Sequence, residues 1–282
     1  IRYGLAALGG VALTWPVKKI AAVVALVAAS LYLWVAGPEV ATQRAWIMVA
    51  VMLVGVLFDR RAISLRSVAL AAAALLVWQP ESLTSAGFQM SFAATVALVL
   101  AMGPWTRIAH PLPRLVQPVA MLALTSLVAG FATGPIAAAQ FHRMSDYGLL
   151  ANMLAVPVMG ALVMPAGVVA ALLAPLGLAA PALWVMRIGT EWMLWVADFV
   201  SGLEGASRAV MAPPGWVLPV LALGALAVVL ARGAGRGLGL AALLVAALGW
   251  QGATRPPVLI ADAGRLVGVM TPAGRAQSKP GQ

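Results

Sequence analysis

The feature that most constrains this chain is a succession of apolar stretches, each divided from the next by a short polar or Pro/Gly-marked break. They fall at 1–14, 17–36, 44–58, 65–79, 88–103, 116–140, 148–174, 182–201, 215–231 and 238–250. In hydrocarbon every backbone N–H and C=O has to be paired inside the protein, so such stretches predict helices that cross a membrane several times. Composition agrees: 63% of residues are hydrophobic, 9% are charged, and the mean hydropathy is +0.99. A soluble domain is roughly 45–50% apolar and about 25% charged, so a water-soluble globular fold is excluded. The expected fold class is an all-α integral membrane protein, a polytopic helical bundle. Some helices are short: Ala45 to Phe58 covers only about 21 Å at 1.5 Å per residue, against a hydrocarbon core near 30 Å. Segment 148–174 is long enough but carries Pro157 and Pro165, which predicts a kink or break.

Beyond Gln251 the composition changes. Val258-Leu-Ile-Ala and Leu266-Val-Gly-Val-Met270 flank Asp262-Ala-Gly-Arg265 and read as a hairpin that opens a soluble, β-containing region before a polar tail ending at Gln282. The expected domains are therefore a transmembrane domain over 1–250 and, over 251–282, a linker with the start of an extracytoplasmic soluble domain. Because Ile1 falls inside an apolar stretch, the chain is expected to be a piece of a longer polypeptide.

Net charge is +10, from 18 Lys and Arg against 8 Asp and Glu. In a soluble protein this would suggest nucleic acid; in a membrane protein it is first a matter of orientation. Lys18 and Lys19, then Arg60, Arg61 and Arg66, then Arg107 and Arg114, then Arg232 and Arg236 fall on alternate loops if every span crosses. That side should be cytoplasmic, which leaves the C-terminal tail outside.

With no Cys and only two His, His110 and His142, the sequence predicts neither thiolate chemistry nor a bound metal or other cofactor, and no enzyme activity. The informative residues are polar ones that the composition does not require. Ser126, Thr133 and Gln140 recur every seven residues beside Gly130 and Gly134, a face that either packs on a neighbouring helix or lines a wet path. Arg187, Glu191, Leu194 and Asp198 share a stripe of segment 182–201. That segment is either an interfacial helix anchored by Trp184, Trp192 and Trp195 or a span lining a cavity. Gln43-Arg44-Ala45, Gly87-Phe-Gln-Met-Ser-Phe92, and Gln140-Phe-His-Arg143 with Leu150 to Pro157 sit at segment ends. There Gln89, Ser91 and Asn152 either satisfy freed backbone groups or line a polar passage.

Thr42-Gln-Arg-Ala-Trp-Ile-Met48, Asp59-Arg-Arg61, Gln79-Pro-Glu-Ser-Leu83 running into Gly87-Phe-Gln-Met-Ser-Phe92, and Phe141-His142 with Leu149 to Pro157 together resemble the competence domain of the ComEC family, in the same order over roughly 1–250. The resemblance implies a channel in the bacterial cytoplasmic (inner) membrane that takes up single-stranded DNA during natural transformation. Carried over by position, the family-like polar residues are Gln43, Arg44, Gln89, Ser91, His142 and Asn152, with Pro135 and Pro157 as helix breaks. On this reading Arg44 contacts phosphate, and Gln89, Ser91 and Asn152 are polar lining. Phe88, Phe92 and Phe141 are stacking or gating surfaces, although Phe88 and Phe92 could equally pack together at i,i+4 spacing. Expected partners are single-stranded DNA, the lipid bilayer and other competence proteins. Those include a separate ATP-driven motor, since the chain has no Gly-x-x-x-x-Gly-Lys sequence. The pore is formed by one chain or by a homodimer. Many family members end in a metallo-β-lactamase-like domain, but no His follows Gln251 here, so no nuclease activity is expected of this chain. The alternative is a secondary transporter of a small solute that uses buried acids such as Glu191 and Asp198.

Overall fold

The computed structural model describes residues 16–37, 39–59, 63–108, 113–114, 116–254, 258–260, 267–271 and 274–277. The expected span at 1–14, Arg60, Arg61, the Arg107 side chain, His110 and the Asp262–Arg265 turn lie outside the described residues. The chain is an all-α polytopic membrane protein with a few short strands. Among the described residues, five helical segments are long and apolar enough to cross a membrane: Val17–Ala36, Ala86–Thr106, Gln117–Phe141, Gly148–Leu176 and Ala234–Gln251. Ala41–Leu57, Leu65–Trp78 and Val217–Leu230 are shorter apolar helices. The residues fall into two compact units, one drawn from Ile1–Ala137 and Ser145–Arg208, the other from Ala138–Met144 and Ala209–Gln282.

In the first unit, α1 (Val17–Ala36) and α2 (Val40–Leu57) pack as a hairpin. Lys19 Nζ meets Asp59 Oδ2 at 2.7 Å at one end, and Trp46 Nε1 donates to Ser30 Oγ at 3.0 Å nearer the other. A capping box starts α3 (Leu65–Trp78): Ser67 N donates to Ser64 Oγ at 3.1 Å, and Ser64 N to Ser67 Oγ at 3.0 Å. A 3-10 turn, Pro80–Thr84, leads into α4 (Ala86–Ile108). Val68, Ala71 and Leu75 of α3 bury against Phe88 and Phe92 of α4, with Ile47, Met48 and Val51 of α2 packed on them.

The helix α5 (Gln117–Phe141) runs unbroken through Pro135. A proline withdraws one donor, here from the Phe131 carbonyl, and the flanking turns hold. Thr133 returns its hydroxyl to Ala129 O at 2.8 Å within the same helix. The chain leaves the helical path at His142, whose φ is 55°. Pro157 likewise sits inside α6 (Gly148–Val158) without ending it. The irregularity is a π-turn, Met159–Val163, before α7 (Met164–Leu173), where Met164 N reaches back to Met159 O. Pro165 has no N–H to give the Ala161 carbonyl, so the helix widens just ahead of it.

Next comes α8 (Ala180–Ser201), which lays Ala182, Gly189, Val196 and Val200 inward. Its small face is tight: a Cβ at Gly189 would stand 3.3 Å from Leu162 Cδ2 and 3.5 Å from Val158 Cγ1. Gly167 faces Met186, and Trp192 Nε1 donates to Leu154 O at 3.0 Å. These contacts run antiparallel along Leu154 to Gly167. Arg187, Glu191 and Asp198 occupy the outward side of α8 and keep it out of the apolar set. Two short strands, β1 (Arg143–Ser145) and β2 (Ser207–Ala209), form a two-stranded sheet. Arg208 meets Asp146 at 2.7 Å nearby, and Asp146 raises the Arg208 guanidinium above its ordinary value, by hydrogen bond first and by charge second.

In the second unit, α9 (Val217–Leu230) and α10 (Ala234–Gln251) pack backbone to backbone. A Cβ at Gly239 would lie 2.8 Å from Val228 N and 2.9 Å from Gly224 O. Trp216 lies over Gly249, and Trp250 Nε1 donates to Met211 O at 3.0 Å. After these helices β3 (Val258–Ile260) pairs antiparallel with β4 (Val267–Thr271), as a hairpin requires, with Leu259 opposite Gly268. The polar tail expected next is instead, at Gly274–Gln277, a third strand, β5, pairing Ala276 with Val269. Ladder hydrogen bonds are backbone bonds, so a polar edge strand forms without an apolar signature.

Candidate functional site

The first turns of α2 carry Gln43 and Arg44 on an otherwise apolar helix. Where α3 ends, Gln79 is extended (φ −140°), Pro80 opens the 3-10 turn, and Ser85 Oγ accepts from Phe88 N at 3.2 Å as α4 begins. The break before α2 and the break between α3 and α4 thereby meet. Gln79 Nε2 donates to Gln43 Oε1 at 2.7 Å, Ser82 Oγ donates to Gln79 Oε1 at 3.4 Å, and Gln89 Nε2 closes on Leu83 O at 3.0 Å.

Arg44 lies against Gly87. A Cβ built on Gly87 would stand 2.5 Å from Arg44 Nη1 and 3.2 Å from both Cζ and Nη2. Three ion pairs occur among the described residues, Lys19–Asp59, Arg187–Glu191 and Arg208–Asp146, and Arg44 belongs to none of them. Arg44 is half-buried, and a guanidinium drawn partly out of water without a carboxylate favours an anion as partner. Its planar fork suits the paired oxygens of a phosphate or phosphodiester.

Of the residues expected from sequence, Gln43, Arg44 and Gln89 belong to this cluster. Phe88 and Phe92 do not offer ring faces to a ligand: their centroids are 4.5 Å apart and both are buried among Val68, Ala71 and Leu75, so the i,i+4 packing alternative is the one observed. Ser91 lies on α4, its carbonyl accepting from Thr95 Oγ1 at 2.7 Å. Phe141 and His142 are exposed at the end of α5, where His142 O accepts from Val210 N at 2.9 Å. Asn152 is exposed on α6. Gln79, Ser82 and Gly87 were not among the expected site residues. The signal available was a Gln directly before a Pro at a break and a Gly preceding the Phe of the next helix.

No group of three His, Asp or Glu side chains converges to hold a metal among the described residues. Glu191, proposed above as an ion carrier, is exposed and paired with Arg187 at 2.7 Å.

The competence protein family matches residues 2–234 of this chain. ComE operon protein 3 of Bacillus subtilis (strain 168) is 31% identical over 156 residues, which is 55% of this chain and 19% of that protein. The aligned part therefore spans about a fifth of the relative's length. No solved structure matches.

Proposed function

The chain belongs to the competence protein family, and from that premise we propose that it takes part in DNA uptake as the channel-forming region for single-stranded DNA in the bacterial cytoplasmic membrane. The observation that carries this reading is Arg44, in none of the ion pairs among the described residues, lying against Gly87 beside a hydrogen-bonded cluster that joins two breaks in the apolar sequence. Such a site attracts phosphate without closing on it, as conduction of a polyanion requires.

Orientation follows from charge. Lys18, Lys19 and Arg66 mark the cytoplasmic ends of α1 and α3, and Lys19 pairs with Asp59 at the far end of α2 from Arg44. With 18 residues, α2 is about 27 Å long at 1.5 Å per residue. The Arg44 cluster therefore sits at the outer mouth, where an incoming strand arrives, and the region beyond Gln251 is extracytoplasmic. Gln43, Gln89, Ser91 and Asn152 are polar surfaces for the strand on the first unit; Phe141 and His142 are candidate contacts on the second. Pulling comes from a separate ATP-driven partner or the membrane potential, other competence proteins deliver the strand, and two copies of the chain assemble where one does not enclose a pore. The small-solute transporter is not favoured, since Glu191 is neither buried nor free.

The test is Arg44→Ala in the full-length protein, with transformation and membrane abundance measured together. Uptake should fall at least tenfold with abundance unchanged. Uptake at the wild-type rate with normal abundance would remove Arg44 from the mechanism.

A further inference from the structure

We infer that Gly87 is a positioning residue whose missing side chain fixes where the Arg44 guanidinium sits, so that it governs DNA uptake without touching DNA. The inference rests on the reading of Arg44 as a phosphate contact.

Gly87 stands in the first turn of α4, one residue before the core-forming Phe88. Its backbone is helical and has no positive φ, so no conformational demand calls for glycine. Glycine is a poorer helix former than alanine. The described surroundings give one reason for it. The volume a Cβ would fill holds the Arg44 guanidinium, and the three nearest atoms a Cβ there would meet are its Nη1 at 2.5 Å and its Cζ and Nη2 at 3.2 Å. All three belong to the flexible end of a long side chain. A methyl group at this position therefore moves the guanidinium and leaves the backbone of α2 and α4 in place. The contrast within the same protein is Gly239, where a Cβ would meet the backbone atoms Val228 N and Gly224 O at 2.8 and 2.9 Å. Gly239 has to be small so that two helices can pack. Gly87 has to be small so that a charge can occupy one place.

The partner residues make that place definite. Gln43, next to Arg44 on α2, is anchored by Gln79 Nε2 at 2.7 Å, which ties the first turns of α2 to the end of α3. Gly87 is carried by α4, whose Phe88 and Phe92 are locked in the core. The Arg44 backbone and Gly87 are thus each carried by a separate packed helix, and the space beside Gly87 decides where the guanidinium at the end of the Arg44 side chain comes to rest.

The experiment is a double-mutant cycle in the full-length protein, combining Gly87→Ala with Arg44→Lys and scoring transformants per unit of membrane-localised protein. Arg44→Ala is measured alongside. Lysine keeps the charge on a slimmer end that can pass a methyl group, whereas the guanidinium cannot. Gly87→Ala should reduce uptake about tenfold in the Arg44 background, with membrane abundance equal to or above wild type, and less than twofold in the Arg44→Lys background. Equal losses in the two backgrounds would show that Gly87 acts independently of Arg44 and would overturn the inference, as would wild-type uptake in Gly87→Ala. Undiminished uptake in Arg44→Ala would defeat the phosphate-contact reading itself, a result distinguishable from the other two.

Discussion

Replacing Phe88 by alanine tests whether the α3–α4 contact is a packed core or a surface facing the strand. Phe88 is 7% exposed, its ring centroid is 4.5 Å from that of Phe92, and Val68, Ala71 and Leu75 surround the pair. Lipid tails are as apolar as a phenyl ring, so the transfer term that dominates in water largely drops out and the cavity term remains. Phe→Ala vacates roughly 100 Å³, which at about 24 cal/mol per Å³ costs about 2.4 kcal/mol. Loss of the ring pair adds about 0.5–1.5 kcal/mol. The sum, about 3–4 kcal/mol, is a large share of a native stability of about 5–15 kcal/mol. Phe88→Ala should therefore lower the thermal midpoint of the purified full-length protein, followed by size-exclusion after heating, and reduce its abundance in the membrane. Phe88→Leu should recover most of both, because volume is mostly kept. Phe141→Ala, at an exposed position, should leave both unchanged. A Phe88→Ala protein that melts like the wild type but fails in uptake would refute the reasoning and return the ring to the DNA path.

Other consequences follow from the same contacts. Gly239→Val should destabilise the α9–α10 hairpin by about 1–3 kcal/mol despite better helix propensity than glycine, because the clash is with backbone; thermal melting checks it. Trp250→Phe removes the donor to Met211 O and should cost about 1 kcal/mol by the same assay. Glu191→Gln breaks an exposed i,i+4 pair with Arg187 and should change stability by less than ~0.5 kcal/mol, leaving DNA uptake intact. Loss of uptake in that variant would restore the acidic stripe of α8 to the mechanism.

The helices were legible because lipid leaves the chain few other choices. The expected span 17–36 coincides with α1, and 65–79 differs from α3 by one residue. Span 88–103 was short at both ends because Gly87 at one end and Pro104, Thr106 and Arg107 at the other are helical residues that hydropathy ignores. The irregularity expected in 148–174 is present, but not every proline expected to break a helix does so. Pro135 and Pro157 are absorbed inside helices, and the deformation appears at Met159–Val163, upstream of Pro165, since a proline disturbs the turn that precedes it. In the site, Gln43 and Arg44 stood out as polar residues at the mouth of an apolar helix. Gln79 and Gly87 did not, because their meaning lies in what they touch across the bundle: an amide 36 positions away and a guanidinium on another helix. The β3–β4 pair after Gln251 was visible as two apolar runs flanking Asp262-Ala-Gly-Arg265, whereas β5, with Gly274, Arg275 and Gln277, has no apolar run to announce it.

The central claim is that the strand in transit passes the Arg44 cluster. The most direct measurement places a photo-crosslinking residue at position 44 or 89 of the full-length protein, and at Leu70 on the exposed side of α3 as a control, then irradiates cells while labelled DNA is being taken up. The account predicts labelled single strands covalently joined to the protein from positions 44 and 89 and none from position 70. Uptake that continues with no crosslink from either cluster position, or with equal crosslinking from all three, would contradict it.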